Sequence, residues 1–141
     1  MTERILVEGE ASGRLLVLEE PLSFWGGFDP TTGSIVDRRH PQAGVSLAGV
    51  VLAMPFGRGS SSGSSGIVES ARLGTGPVGF VLREPDEIVA VGAIVVGELY
   101  GRSMPVVVAD EQTYGALRTG QVATITPSGE VRVEVDGRHT S

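Results

Sequence analysis

The chain predicts an α/β layered domain built on a mixed sheet with a few short helices. Three observations carry this. Apolar, strand-like runs stand at both ends, strand and helix patterns alternate in the middle, and glycine is the commonest residue at 21 of 141 while aromatics make up only 5%. A glycine-rich, ring-poor composition favours tight turns and close backbone packing over helical bundles. The length suits one domain with a real core, over residues 1–141, and leaves no room for a second of similar size.

Taken in order, residues 4–7 and 14–18 are leucine-rich and β-branched runs joined by Glu8-Gly9-Glu10-Ala11-Ser12-Gly13, which predicts two strands in an opening hairpin. From 21 to 44 periodicity disappears, and Gly26-Gly27, Asp29-Pro30, Thr32-Gly33 and His40-Pro41 follow in quick succession. A structureless stretch of that length inside one domain is uncommon unless it has a function, so a long ordered loop is predicted. Phe24, Trp25 and Phe28 cluster in it. Such rings either pin a loop to the core or form a partner-facing patch, and different rings can do different things.

Residues 49–54 form a third apolar run, stopped by Pro55, which cannot donate to a strand ladder. A glycine–serine run follows, Gly57-Arg58-Gly59-Ser60-Ser61-Ser62-Gly63-Ser64-Ser65-Gly66. Ile67, Val68, Ala71 and Leu73 then lie at near-helical spacing and end at Gly74, a good helix stop. Residues 77–82 predict a buried strand. Asp86 is placed to cap a helix running toward Tyr100, kept short or tightly packed by Gly92 and Gly97. Residues 106–109 predict another buried strand, 114–117 a helical turn, and 122–126 with 131–135 a closing hairpin around Pro127-Ser128-Gly129-Glu130. There is no internal repeat.

Composition excludes whole classes of function. The formal net charge is −6 and the 11 basic residues are scattered apart from Arg38-Arg39, which is the wrong footprint for nucleic acid. There is no cysteine, so disulfides, thiol nucleophiles and thiolate-held metals are all absent from this chain. No apolar stretch approaches the ~18 residues of a membrane span, and the first residues do not read as a signal peptide. A cytoplasmic protein with protein or small-molecule partners is expected.

The glycine–serine run reads either as a flexible linker or as a loop feeding a helix. An apolar strand runs in and an apolar-periodic segment runs out within one domain, which favours the loop. At a helix start the first N–H groups lack intrahelical partners and the dipole is positive, so an anion is stabilised there. Serine hydroxyls add donors, and glycines allow close approach. No lysine follows the glycines, so this is not a phosphate-binding P-loop, and it does not match a dinucleotide fingerprint. A serine nucleophile ordinarily needs a base such as histidine, and only His40 and His139 exist. His40, in Asp37-Arg38-Arg39-His40-Pro41, reads as a functional group or as a satisfied surface one. The alternative is an ionised serine favoured by the helix start and Arg58, acting as a proton-abstracting base.

Three stretches together resemble the aconitase X swivel-domain family. They are Pro21-Leu22-Ser23-Phe24-Trp25-Gly26-Gly27-Phe28-Asp29-Pro30-Thr31-Thr32-Gly33 with His40-Pro41, then Gly57-Arg58-Gly59-Ser60-Ser61-Ser62-Gly63-Ser64, and Gly92-Ala93-Ile94-Val95 leading to Pro105-Val106-Val107. The resemblance implies a swivelling β/β/α domain that closes over substrate held by a large subunit, whose cysteines carry an iron–sulfur cluster. It implies a hydro-lyase active only as a heterodimer. Known reactions of the family are dehydration of cis-3-hydroxy-L-proline in bacterial members and of 5-phosphomevalonate in archaeal ones.

In aconitase-like enzymes a serine of the corresponding loop is the base, which by position is Ser60. The resemblance further implies that Arg58, Gly59, Ser61 and Ser62 bind the anionic end of a small substrate, and that Ser23, Gly26, Gly27, Asp29 and His40 shape the facing wall or the subunit contact. Ordinary aconitases carry an arginine after the two serines where this chain has Ser62, so a different substrate head group is expected. Archaeal loops more often read Gly-Ser-Thr-Val-Gly-Ser, so Ser60-Ser61-Ser62-Gly63 leans toward the hydroxyproline branch. The rival readings are a phosphomevalonate dehydratase small subunit, a non-catalytic small-anion-binding module, and a structural docking domain.

Overall fold

The computed structural model describes residues 4–57 and 62–134. Its elements run β1 (Arg4–Val7), β2 (Ala11–Val17), β3 (Phe28–Asp29), β4 (Ser34–Ile35), β5 (Val51–Met54), α1 (Gly63–Leu73), β6 (Gly79–Leu82), α2 (Glu87–Tyr100), β7 (Val106–Val108), α3 (Glu111–Gly115), β8 (Val122–Ile125) and β9 (Val131–Glu134). Seven strands form one mixed sheet in the order β1-β7-β6-β5-β2-β8-β9, with β3 and β4 as a separate small ribbon.

Strands β5 and β6 are buried at every position, as expected of parallel strands covered on both faces. From β5 through α1, β6 and α2 to β7 the chain steps across the sheet in one direction. Crossovers of one hand then set both helices on one face, where Ile67, Ala71, Val89 and Val96 pack on Leu52, Met54, Phe80 and Leu82. The opposite face buries Leu15, Val51, Val81 and Val107 beneath Leu117 and the β8 residues Ala123 and Ile125. A fully buried side chain such as Phe80 contributes roughly 1.5–3 kcal/mol over its exposed state. Gly92 lets the helices close on each other, since a Cβ there would sit 3.0 Å from the Ile67 side chain.

The predicted opening hairpin does not form. Strand β1 pairs antiparallel with β7, while β2 pairs parallel with β5 through Leu15, Leu16 and Val17 and antiparallel with β8 through residues 11–14. The reason lies in β2, where successive side chains Leu15 and Leu16 point to opposite faces and are both buried. Such a strand needs the middle of the sheet. The connection is held across the sheet because Ser103 Oγ accepts from Glu10 N at 2.7 Å and donates to Glu10 O at 3.0 Å. By changing partner half-way along, β2 curls the sheet so that β8 and β9 fold over its second face.

The remaining elements follow their local signals. Gly74 ends α1 in the left-handed conformation at φ 75°, and Asp86 caps α2, which runs its full 14 residues. The third helix begins earlier than the predicted turn because Asp110 caps it, and Leu117 is the buried residue just beyond it. The closing hairpin pairs β8 with β9 as expected. Val135 lies outside the described residues.

Candidate active site

The carboxyl ends of the parallel strands β2, β5, β6 and β7 open on one edge of the sheet, the edge where ligands bind in open α/β folds. Three connections meet there. The segment after β2 bridges to the one after β5 through Leu22 and Gly57. The segment after β6 reaches the same place, because Gly57 N donates to Asp86 Oδ2 at 2.8 Å. Ser64 Oγ, in the first turn of α1, donates to Ile88 O of α2 at 2.9 Å. The starts of α1 and α2 therefore sit side by side.

Helix α1 begins without the usual furniture of a helix start. The Ser62 side chain makes no capping hydrogen bond and no acid stands in the first turn, although the Ser62 carbonyl accepts from both the backbone N and the Oγ of Ser65. What holds this end is contact. Added Cβ atoms on Gly63 and Gly66 would lie 3.5 and 2.4 Å from Phe24 atoms, the latter from its carbonyl oxygen. The aromatic loop thus lies directly on the first turn of α1, and an apolar groove of about 600 Å³ opens between them. Trp25, Gly26 and Pro30 line it on one side, and Ser65, Gly66 and Glu69 on the other. At its far end Arg72 forks onto Glu69, at 3.0 and 2.6 Å, and that hydrogen bonding holds the Glu69 carboxyl below its ordinary range.

Both readings of the aromatic loop hold, for different rings. Phe24 and Phe28 are buried with centroids 5.0 Å apart, and Phe24 meets Phe80 edge-on at 5.9 Å. Trp25 is 59% exposed at the mouth of the groove. Ser23 Oγ donates to Trp25 O and accepts from Trp25 N, Gly26 turns the chain at φ 93°, and a Cβ on Gly27 would lie 2.7 Å from Ser23 O. Asp29 Oδ1 accepts from Thr31 N at 2.9 Å. Of these four residues Gly26 lines the groove, while Ser23, Gly27 and Asp29 fix the shape of the loop that presents Trp25.

His40 stands apart. It is 3% exposed, its Nδ1 accepts from Gln42 N at 3.0 Å, and its Nε2, which must then carry the proton, donates to Glu20 O at 3.1 Å. Both ring nitrogens are spent on the chain's own backbone, so His40 ties the long loop together and leaves the set of substrate contacts. Arg58, Gly59, Ser60 and Ser61 lie outside the described residues, as does His139. Tyr114, at the same sheet edge after β7, went unnoticed in the sequence. Its hydroxyl is buried without a partner among the described residues, and burial pushes its pKa up to about 12 against the opposing pull of Arg83.

Residues 1–135 match the aconitase X swivel domain. The chain belongs to this family. The swivel domain is 51% identical over 109 residues to the cis-3-hydroxy-L-proline dehydratase of Pseudomonas aeruginosa, a match covering 77% of this chain and 19% of that protein. It thus spans about a fifth of that relative's length. It is 40% identical over 127 residues to the phosphomevalonate dehydratase small subunit of Methanopyrus kandleri, covering 90% of each. Among solved structures it is similar to Thermococcus kodakaraensis aconitase X in its holo-form, with a TM-score of 0.83 and 34% identity over 94% of this chain and 96% of that one. The β/β/α swivel architecture expected from the sequence is the one observed.

Proposed function

We propose that this chain is the small subunit of an aconitase-X-type hydro-lyase that dehydrates cis-3-hydroxy-L-proline or a close analogue, working in the cytoplasm as a heterodimer with a large catalytic subunit. The swivel domain would occupy all of residues 1–141. The observation that carries the reading is the meeting of Gly57 and Ser64, the described residues on either side of the serine run, with the start of α2 at the carboxyl edge of the parallel strands. In this role Ser60 removes the proton next to the leaving hydroxyl. Arg58, Gly59, Ser61 and Ser62, with the first N–H groups of α1, bind the anionic end of the substrate. Trp25 and the groove exclude water and meet the large subunit.

An iron–sulfur cluster does not fit this chain's own donors. There is no cysteine, and among the described residues no three His, Asp or Glu side chains converge. Its cysteine ligands are assigned to the large subunit, and the steps given to this chain are proton removal, anion binding and water exclusion. No described helix is long and apolar enough to cross a membrane.

The identity to the hydroxyproline enzyme and the run Ser60-Ser61-Ser62-Gly63 support the named substrate. A second reading, a phosphomevalonate dehydratase small subunit, is favoured by the end-to-end match to the M. kandleri protein. Reconstitution with the cysteine-bearing large subunit and assay on both compounds separates them. With the preferred substrate, Ser60→Ala is expected to lower kcat by about 100-fold or more. Near-unchanged turnover would remove Ser60 as the base, and tight anion binding by the isolated chain without any turnover in the complex would favour a non-catalytic module.

A further inference from the structure

One carboxylate holds both the start of α2 and the entrance to the serine loop. Asp86 is half-buried, with extended backbone at φ −143° and ψ 117°, and its Oδ1 accepts from Val89 N at 3.0 Å as the helix cap. Its Oδ2 accepts from Gly57 N at 2.8 Å, across 29 residues of sequence. Gly57 directly precedes the serine loop. A Cβ at Gly57 would lie 2.8 Å from that same oxygen, so the approach requires glycine on one side and an acceptor on the other. Beyond the loop, Ser64 Oγ donates to Ile88 O, and Gly63 packs against the Ile88 side chain. The first turn of α2 therefore grips both flanks of the serine loop.

A cap needs one acceptor. Serine, threonine, asparagine and aspartate serve nearly equally well there, and of these only aspartate offers two acceptor oxygens without a donor. We propose that Asp86 is a positioning residue for the entrance to the serine loop, fixing the Gly57 amide in addition to capping α2. Its catalytic consequence rests on the function proposed above, whereas the positioning itself does not. Fixing a reacting group in place is worth a large factor, since displacement by about 1 Å can cost on the order of 100-fold.

Asp86→Asn separates the two jobs. Its carboxamide oxygen still caps Val89 N, but its NH₂ then meets the Gly57 N–H, donor against donor. Asp86→Ser also caps α2 and is too short to reach Gly57. In the full chain, amide exchange followed by NMR is expected to speed up at Gly57 by about tenfold or more in both variants, while amides within residues 90–100 keep their protection. In the reconstituted enzyme kcat is expected to fall by about tenfold or more with KM much less affected. Unchanged exchange at Gly57 would overturn the proposal. So would loss of protection throughout α2 in both variants, because Asp86 would then be a cap alone. Ser60→Ala is measured alongside: if it abolishes turnover while the Asp86 variants loosen Gly57 and keep full kcat, the positioning role is wrong. If no complex turns over, the function proposed above fails, and Gly57 exchange still decides whether Asp86 holds the loop.

Discussion

Helices α1 and α2 start next to each other, and they start differently. The α2 start has a capping aspartate and an acid, Glu87, in its first turn, so its end dipole is already answered from within the chain. The α1 start has neither and is held by glycines pressed on the aromatic loop. A helix end left without a capping side chain or an acid is one where an external anion is worth most. One start is thus answered within the chain, the other receives the substrate anion in the function proposed above, and exchanging their properties tests the distinction.

The largest effect is expected from the contact that stands in for a cap. Gly66→Ala puts a Cβ 2.4 Å from Phe24 O, a backbone atom that cannot swing aside. Helix propensity alone favours alanine over glycine by about 1 kcal/mol, whereas overpacking costs roughly 1–3 kcal/mol. The steric term should win, lowering stability to urea by about 1–2 kcal/mol net and opening the groove. Gly97→Ala in α2 is the matched control, because its nearest foreign atom is Arg102 O at 3.7 Å. It should stabilise by about 0.5–1 kcal/mol. If both substitutions shift the urea midpoint the same way, the aromatic loop is not what seats α1.

A smaller effect with two signs is expected from giving α1 the acid it lacks. Ser62→Asp adds a charge at the positive end of the dipole, worth about 0.3–1 kcal/mol in stability. The same charge would repel the anionic end of the substrate. Stability to urea should rise slightly while KM in the reconstituted enzyme rises by about tenfold or more. A variant that is more stable and equally able to bind substrate would mean that the open start of α1 is not where the anion sits.

What was legible in the sequence was local. Gly74, Asp86 and Pro55 punctuate the chain by their own backbone chemistry, so the ends of α1, α2 and β5 could be placed from them. The opening hairpin that local pattern predicts does not form, because the partner of β1 lies about a hundred residues away in β7. Residues 21–44 announced an ordered loop, but nothing aperiodic distinguishes a buried Phe24 from an exposed Trp25. The bond from Gln42 N to the His40 ring joins residues close in sequence, yet the burial that makes it structural comes from the fold. The link from Asp86 to Gly57 is a contact across the sheet edge. The sequence offered Asp86 as a cap and gave no sign of its second oxygen's partner.

The smallest effect concerns a third helix start, capped like α2 but exposed. Asp110 Oδ1 accepts from Thr113 N at 2.7 Å. That backbone bond, helped by the Thr113 side chain, holds the carboxyl below its ordinary 3.8. A folded value below the unfolded one means that the unfolded chain binds the proton first. The stabilisation is therefore complete above pH 3.8 and is lost as pH falls through the lowered value. Asp110→Asn keeps a cap at every pH, because its oxygen accepts without being charged. Urea midpoints measured from pH 6 down to about pH 2 should therefore fall a little less steeply for Asp110→Asn than for the unsubstituted chain. The gap should be small, because α3 is only five residues long and buries none of them. Parallel curves would show that the α3 cap does not contribute to acid sensitivity, and that capping in this fold matters where a cap also holds a second segment.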